Sequence, residues 1–541
     1  MQDILLSNDL VRECCSPGAG HDAMQALEKA RDMGCRIWIY SGGVSGILKD
    51  LGLQAALQDE QQAADSGRAC LDRARQALWE FGRDKHWLAA LAEDCLQLEH
   101  QDFEPRQLLK ALGRLQSGAL LLTRDNALLQ ASSLAVSPGD FLEIPSKEDD
   151  LQFVDLARQQ DQVRPELERR LFEVLGHNKY VMGPEVQELE QELAAYTGSK
   201  HCLSCGSGTD ALLLALLALE IGPGDAVLTT PFTFIATAEA IALLGATPVF
   251  VDIQSGSFNL DPSRLDIALQ ALRNRDSSMY PIPRQALQKK LTPRAILPVD
   301  LFGLPSDYQA LEEVAHRHGL SLVLDAAQSL GAKCEGRHSC CWGDMAATSF
   351  FPAKPLGGYG EGGAVFCRDP ELAEKIASIR NHGQGRDRYE HVRLGLNARL
   401  DSLQAAVLLA KLQSFEEEIA ARAQVASWYN SRLSDCRALQ TPQVANGMRP
   451  VWAQYSLLSR DRESRDRMLQ ALAGQGLPYA VHYPLPLHLQ KAFHYLGYQQ
   501  GDFPMAEDCA GRIFSLPMHP YLHRQEVDRV VDSILGGKEG A

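Results

Sequence analysis

Short apolar runs separated by amphipathic stretches recur along most of this chain. Continuous apolar segments at 226–229, 247–251, 295–299, 321–324 and 364–367 read as strands, mostly separated by helical segments. Strands that are apolar at consecutive positions and joined by helices predict a mainly parallel sheet buried on both faces. Ahead of them, 161–175 carries helical spacing, and 184–196 (PEVQELEQELAAY) reads as a second amphipathic helix with proline at its start. A helix over 401–412 comes after the strands. From about 415 the chain reads as helix, strands and helix, enough for a smaller lobe. Residues 1–145 have an alternation of their own, with strands at 4–6, 36–40 and 119–123, and the acidic stretch Ser146-Lys147-Glu148-Asp149-Asp150 after Pro145 suits a linker. Charge and proline at 273–292 (RNRDSSMYPIPRQALQKKLT) interrupt the pattern and predict a surface insertion.

A length of 541 residues exceeds one ordinary core and predicts two or more domains. With 45% hydrophobic and 23% charged residues the composition is that of a soluble globular protein. No stretch approaches 18 uncharged apolar residues, and no basic region followed by an apolar core opens the chain, so the expected location is the cytoplasm, off the membrane. Thirteen scattered cysteines do not resemble a disulfide framework. Cys202 and Cys205 form a Cys-x-x-Cys pair, but no second pair lies at ligand spacing, and both read as buried thiols. A net charge of −16 argues against a nonspecific nucleic-acid surface, which needs clustered positive charge.

Five segments carry candidate chemistry. Lys354 ends Ser349-Phe350-Phe351-Pro352-Ala353-Lys354 and precedes the run Gly357-Gly358-Tyr359-Gly360-Glu361-Gly362-Gly363, as an amine presented to a bound carbonyl would be. Ser204-Cys205-Gly206-Ser207-Gly208-Thr209-Asp210 is a small-residue turn opening an apolar helix, where backbone N–H groups and the helix dipole suit a phosphate. It lacks the lysine of a P-loop and the spacing of a dinucleotide fingerprint. Asp325 ends an apolar strand in Val323-Leu324-Asp325-Ala326-Ala327-Gln328, where open α/β sheets bind ligands; it could equally cap a helix. Phe232-Thr233-Phe234 follows a strand and could stack on a planar ring or simply join the core. Asn397 and Arg399 stand just ahead of the 401–412 helix, where capping and surface charge are the plain alternatives.

The order of these segments is the informative part. With Tyr180-Val181-Met182-Gly183-Pro184-Glu185 as lead-in, the chain over about 151–541 resembles the DegT/DnrJ-type sugar aminotransferases, which use pyridoxal 5′-phosphate on the fold-type I architecture. Ser349–Gly363, Arg380-Asn381-His382-Gly383-Gln384, His482-Tyr483-Pro484-Leu485-Pro486 and Ser515-Leu516-Pro517-Met518-His519-Pro520-Tyr521 are similar to the subgroup acting on UDP-2-acetamido-2-deoxy-3-oxo-glucuronate. The resemblance implies a large domain (153–415) with a seven-stranded, mainly parallel sheet between helices, and a smaller α/β C-terminal domain (416–541). It implies that Lys354 holds the cofactor covalently and moves the proton, that Asp325 binds the pyridine nitrogen and Gln328 the ring hydroxyl, and that Phe234 stacks on the ring. Gly208, Thr209 and Ser349 would bind the phosphate, joined by Asn397 from a partner subunit, so a homodimer is expected. Arg399, His482 and Tyr483 would contact the anionic sugar nucleotide or L-glutamate, the expected amino donor, and no metal is implied. Relatives with histidine in place of this lysine catalyse dehydration, so Lys354 points to amino transfer. Surface polysaccharide or O-antigen synthesis is the implied setting, with a dTDP-linked keto-deoxyhexose as the alternative substrate.

Residues 1–145, with 146–152 as linker, resemble a PIN-like α/β domain, mostly through Leu120–Asn126 and Val136–Leu142. PIN nucleases gather carboxylates around a metal. Here Ser7 stands where a first acid is expected and Pro105 where another would be, although Asp9, Asp102, Glu104 and Asp125 remain. Residues 1–150 hold fifteen Lys/Arg against twenty-four Asp/Glu, unfavourable for nucleic acid. The expectation is an inactive module, used for protein contacts or kept as a passive fusion. This leaves a cofactor-binding regulator with an interaction module as the rival from another class.

Overall fold

In the computed structural model the chain divides into two compact units, 1–150 and 151–541. The structure describes four strands of the first unit as backbone, and residues 151–387 and 389–536 of the second. In the first unit, β1 (Asp3–Ser7), β2 (Arg36–Tyr40), β3 (Leu120–Leu122) and β4 (Ala135–Val136) form a parallel sheet in the order β2-β1-β3-β4. The first three coincide with the predicted strands. Asp9, Asp102, Glu104 and Asp125, on which the PIN-like reading turns, lie outside the described residues.

The second unit is built on β5 (His201–Cys205), β6 (Asp225–Thr229), β7 (Thr247–Phe250), β8 (Thr292–Leu297), β9 (Ser321–Asp325), β10 (Lys333–Cys334), β11 (Arg337–His338), β12 (Met345–Ser349), β13 (Gly363–Cys367), β14 (Leu439–Gln440), β15 (Met448–Arg449), β16 (Tyr455–Ser459) and β17 (Ile513–Leu516). Seven of them make one sheet in the order β5-β13-β12-β9-β8-β6-β7. It is parallel except at β13, which runs antiparallel to both neighbours. The five predicted strands are β6, β7, β8, β9 and β13. The pattern missed β5 and β12, whose sequences HCLSC and MAATS carry small and polar residues rather than branched aliphatic ones.

Side chains alternate across a strand, so a sheet covered on both faces needs two cores. Ala226, Leu228, Ile296, Leu322, Leu324, Ala346 and Phe366 belong to one buried cluster. Their chain neighbours Val227, Ala295, Leu297, Val323, Ala347 and Val365 belong to the other. The helix Gly208–Ala218 lies on the second face, burying Ala211, Leu214, Ala215 and Ala218, while Pro184–Thr197 buries Val186, Leu189 and Leu193 on the first. Cys202 and Cys205 fall into opposite clusters and share no site; both are buried thiols.

The C-terminal part is a second layer system. Strands β14, β16 and β17 form an antiparallel sheet. Helices Phe415–Leu433, Arg462–Gly474 and Arg524–Gly536 bury Tyr429, Leu472, Val527 and Val531 in a cluster of their own, with Leu457 and Phe514 from the sheet. Among the described residues no helix is long and apolar enough to cross a membrane.

The segment 273–292 lies largely at the surface, as predicted, but is anchored by buried residues the pattern did not reveal. Tyr280, Ile282, Ala286 and Leu291 are buried in the first core, and Tyr280 Oη accepts the Asp252 N–H at 2.9 Å. The Asp252 carboxylate in turn accepts from Met505 and Ala506 N–H, both at 3.0 Å, and so caps the helix Pro504–Arg512. Apolar residues at irregular spacing among charges follow no period, which is why the pattern concealed them. Tyr280→Ala should therefore destabilise the fold by about 3–5 kcal/mol in a chemical denaturation series. A change within about 0.5 kcal/mol would mean that Tyr280 does not anchor the segment.

Candidate active site

The polar groups meet at the carboxyl ends of the parallel strands. Asp325 closes β9 and is buried. Thr237 Oγ1 donates to its Oδ2 at 2.8 Å, and the Ala327 N–H donates to Oδ1 at 3.2 Å. Burial pushes its carboxyl up from the ordinary range; the Thr237 and Ala327 hydrogen bonds and then the Lys354 charge pull it back. Lys354 follows β12, the strand beside β9 in the sheet, where Ala347 pairs with Asp325. Burial drives its ammonium below the usual lysine value, with the Asp325 carboxylate acting the other way.

Tyr483 and His482 complete this group. Burial raises the Tyr483 phenol, with Asp325 adding to the shift and a hydrogen bond from Gln328 opposing it. Burial lowers the His482 imidazolium, helped by Lys354. His482 Nδ1 lies 3.2 Å from Ser515 Oγ, itself 2.9 Å from Ser456 Oγ, so the small sheet sets the ring's orientation. Gln328 Oε1 accepts the Phe302 N–H at 2.6 Å, which leaves the amide NH₂ end to donate toward the site. Phe234 keeps 59% of its surface exposed, an uncommon state for a large apolar ring, with its centroid 6.4 Å from Tyr483. Phe232 is buried outright and belongs to the core. A narrow cleft beside Lys354 is lined by Pro352, Arg422, His519 and Tyr521. A wider apolar groove lined by Phe258, Leu304, Val444 and Trp452 contains none of the predicted residues.

The anion turn lies between β5 and the helix Gly208–Ala218. Ser207 caps that helix, its Oγ accepting the Asp210 N–H at 3.0 Å. The first N–H groups of a helix have no intrahelical acceptor, so those of Gly208 and Thr209 are free to face an anion. A Cβ on Gly208 would sit 2.6 Å from Ser349 Cβ, and one on Gly363 would meet Ser207 O at 2.4 Å. Only glycine permits this closeness, and it brings Ser349 against the turn. Behind it, Glu190 Oε1 accepts from Ser204 N–H (2.9 Å) and Oγ (2.7 Å), while Arg380 pairs with Glu190 and donates to Ser204 O at 2.7 Å. This buried clamp holds the end of β5.

Asn397 and Arg399 stand apart from the Lys354 group. Arg399 donates to Asn397 Oδ1 at 3.1 and 2.8 Å and to Asn381 Oδ1 at 3.1 Å. Asn397 is exposed, and Tyr389, Val392 and Leu394, exposed at 84, 52 and 96%, lie on the strip preceding it. The structure thus gathers Lys354, Asp325, Gln328, His482, Tyr483 and Phe234, places Gly208, Thr209 and Ser349 together at the turn, and leaves Asn397 exposed with Arg399 half-buried against it. Sequence reasoning missed Thr237 and the Glu190–Arg380 clamp. Thr237 sits in an otherwise apolar helix, where a lone hydroxyl carries no signal.

The chemistry of these donors fits pyridoxal phosphate: an amine that burial biases toward neutrality, a strand-end carboxylate held only by neutral donors, and a helix start packed too tightly for a side chain. Comparison with known proteins agrees. Residues 161–535 match the DegT/DnrJ/EryC1/StrS aminotransferase family. The chain is 45% identical over 374 residues to UDP-2-acetamido-2-deoxy-3-oxo-D-glucuronate aminotransferase of Pseudomonas aeruginosa, covering 69% of this chain and 96% of that one. It is 38% identical to dTDP-3-amino-3,4,6-trideoxy-alpha-D-glucose transaminase of Streptomyces venezuelae, covering 71% and 94%. A solved aminotransferase of the family from Brucella abortus superimposes with a TM-score of 0.66 at 42% identity, covering 71% and 99%. A Bacillus subtilis protein solved with bound cofactor PMP gives 0.63 at 26%, covering 80% and 97%. The chain belongs to the DegT/DnrJ/EryC1/StrS aminotransferase family, as a pyridoxal-phosphate-dependent sugar aminotransferase.

Proposed function

We propose that this protein moves the amino group of L-glutamate to the 3-keto position of UDP-2-acetamido-2-deoxy-3-oxo-glucuronate, in the cytoplasm, for surface polysaccharide synthesis. The observation that carries the choice of sugar is the 45% identity to the Pseudomonas aeruginosa enzyme over nearly its whole length. Bound pyridoxal phosphate supplies the electron sink that lets an amino acid lose its α proton. Lys354 holds the cofactor through Nζ and, once released, carries a proton on the same atom. Asp325 keeps the pyridine nitrogen protonated, Gln328 donates to the ring hydroxyl, and Phe234 covers one ring face. Gly208, Thr209 and Ser349 cradle the phosphate. His482 and Tyr483 line the substrate side. The lobes 153–415 and 416–541 close around this site.

Asn397 is assigned to the neighbouring subunit's site in a homodimer, and Arg399 to the carboxylates of the sugar nucleotide or of glutamate. The support for Asn397 is its exposed position close to Tyr389, Val392 and Leu394. Arginine suits the role because its planar fork meets a carboxylate with two parallel hydrogen bonds. A dTDP-linked keto sugar is the second reading, favoured by the 38% identity to the Streptomyces venezuelae transaminase.

Four measurements bear on these assignments. The rate at which cofactor-free protein captures pyridoxal phosphate covalently should rise with pH and level off below 10.5, the ordinary lysine value, because the neutral amine reacts and burial lowers Lys354. Asp325→Asn should move that plateau to lower pH, since the carboxylate raises the lysine. A profile still climbing past 10.5 would place Lys354 in water. Turnover should favour the UDP-linked 3-keto acid over dTDP-linked 3-keto sugars in kcat/KM, and Arg399→Gln should cost roughly 10–100-fold with the acid alone. A preference for dTDP substrates would reverse the choice of sugar. Mixing inactive Lys354→Ala and inactive Asn397→Ala chains should restore about a quarter of wild-type activity, because half the dimers would be mixed and each would hold one complete site. Without restoration Asn397 serves its own subunit.

A further inference from the structure

The glycine run after Lys354 is held from below by two polar groups that the amino-transfer reading does not use. Lys411, on the helix Ser402–Leu412, is 1% exposed, and its Nζ donates to Gly357 O at 2.7 Å. The same ammonium lies 4.3 Å from the centroid of the Tyr359 ring. About two turns earlier on the helix, Gln404 Oε1 accepts the Tyr359 N–H at 2.8 Å. A Cβ on Gly358 would sit 2.9 Å from Gln404 Oε1, and one on Gly360 would sit 3.1 Å from Nε2.

The loop itself is closed and tight. Phe350 N–H donates to Gly362 O and Gly358 N–H to Phe350 O, at 2.8 and 2.7 Å. The Lys354 N–H donates to Phe351 O at 2.8 Å. A Cβ on Gly357 would lie 2.3 Å from Pro352 O, so this backbone touches the residues that carry Lys354. Moving Gly357 therefore moves Lys354.

A buried ammonium with one carbonyl and one ring face is a costly way to fill space, and a methionine of similar length would avoid the desolvation. Burial pushes the Lys411 ammonium down to about 8, opposed by Glu418. Stability does not account for a charge here, whereas its aim at one carbonyl of the loop does. We infer that Lys411, with Gln404, is a positioning residue that holds the glycine loop in the conformation presenting the Lys354 amine. This rests on Lys354 being the residue that holds the cofactor.

The test follows capture of pyridoxal 5′-phosphate by the full chain freed of cofactor, through the change in cofactor absorbance as the Lys354 nitrogen adds to the aldehyde carbon, a C=N bond forms and water leaves. Lys411→Met should slow capture by about tenfold or more, as misplacement of a reacting group does. Noncovalent affinity for the cofactor, measured in a Lys354→Ala background, should be unchanged by adding Lys411→Met. Lys411→Gln, which retains a donor for Gly357, should recover more than half of the loss. Gln404→Leu, which removes the other contact, should slow capture to a similar extent and decides the matter if Lys411→Met does not fold. Capture at the wild-type rate in the variant that folds overturns the inference. So does a matching loss of noncovalent affinity, which would mean a general collapse of the pocket. Should Lys354→Ala itself capture the cofactor covalently, the assignment of Lys354 fails instead, a result distinct from either.

Discussion

The site depends on a half-buried amine and a buried carboxylate set beside the ends of two neighbouring strands. Burial disfavours both charges, lowering Lys354 and raising Asp325, and each partly offsets the other's desolvation. The register that pairs Ala347 with Asp325 sets the distance between them, because Lys354 follows a few residues beyond the end of β12. Removing either one would withdraw that offset and leave the other with its desolvation alone. Only a rigid sheet, filled on both faces, holds that balance. The two cores formed by alternating side chains of β6, β8, β9, β12 and β13 provide it.

Around the pair, hydrogen bonds are allocated so that some groups stay available. Asp325 is held by a hydroxyl and a backbone N–H, both neutral, and keeps its capacity to meet a cation. Asp300, one strand away, is the contrast: Tyr308 Oη, Ser329 Oγ and the Ser306 N–H all donate to it, and Asp300 lies wholly within the fold. Two buried carboxylates at adjacent strand ends therefore have different roles, one saturated and structural, the other open toward the site. Gln328 behaves likewise, its oxygen committed to the Phe302 N–H and its NH₂ end turned to the Tyr483 side of the site.

Much of this was legible in the sequence, for physical reasons that also mark where reading stops. The five strands recognised from their apolar runs are those that carry branched or aromatic side chains into the cores. Strands β5 and β12 escaped because HCLSC and MAATS pack by being small. Lys354, Asp325 and the turn at Gly208 stood out through local context, since a strand end, a glycine run and a helix start are short-range features. Thr237, Glu190 and Arg380 act across 88, 14 and 176 residues of chain to reach Asp325 and Ser204; nothing local distinguishes the first two, and the Arg380–Gln384 segment stood out without revealing what Arg380 holds. The anchors of the surface segment 273–292 were missed for a related reason: its buried residues answer to Asp252 and Phe503, outside the segment, rather than to a period of their own.

The helix Ser402–Leu412 connects features that the sequence presents as separate. Its buried face holds Lys411 and Gln404 against the loop that carries Lys354. Its N-terminus follows directly on Asn397 and Arg399, and Ser402 Oγ accepts the Gly183 N–H at 3.0 Å, joining it to the exposed stretch Tyr180–Met182. The exposed stretch Tyr180–Met182 therefore leads onto one end of this helix, while the loop that carries Lys354 rests on the other.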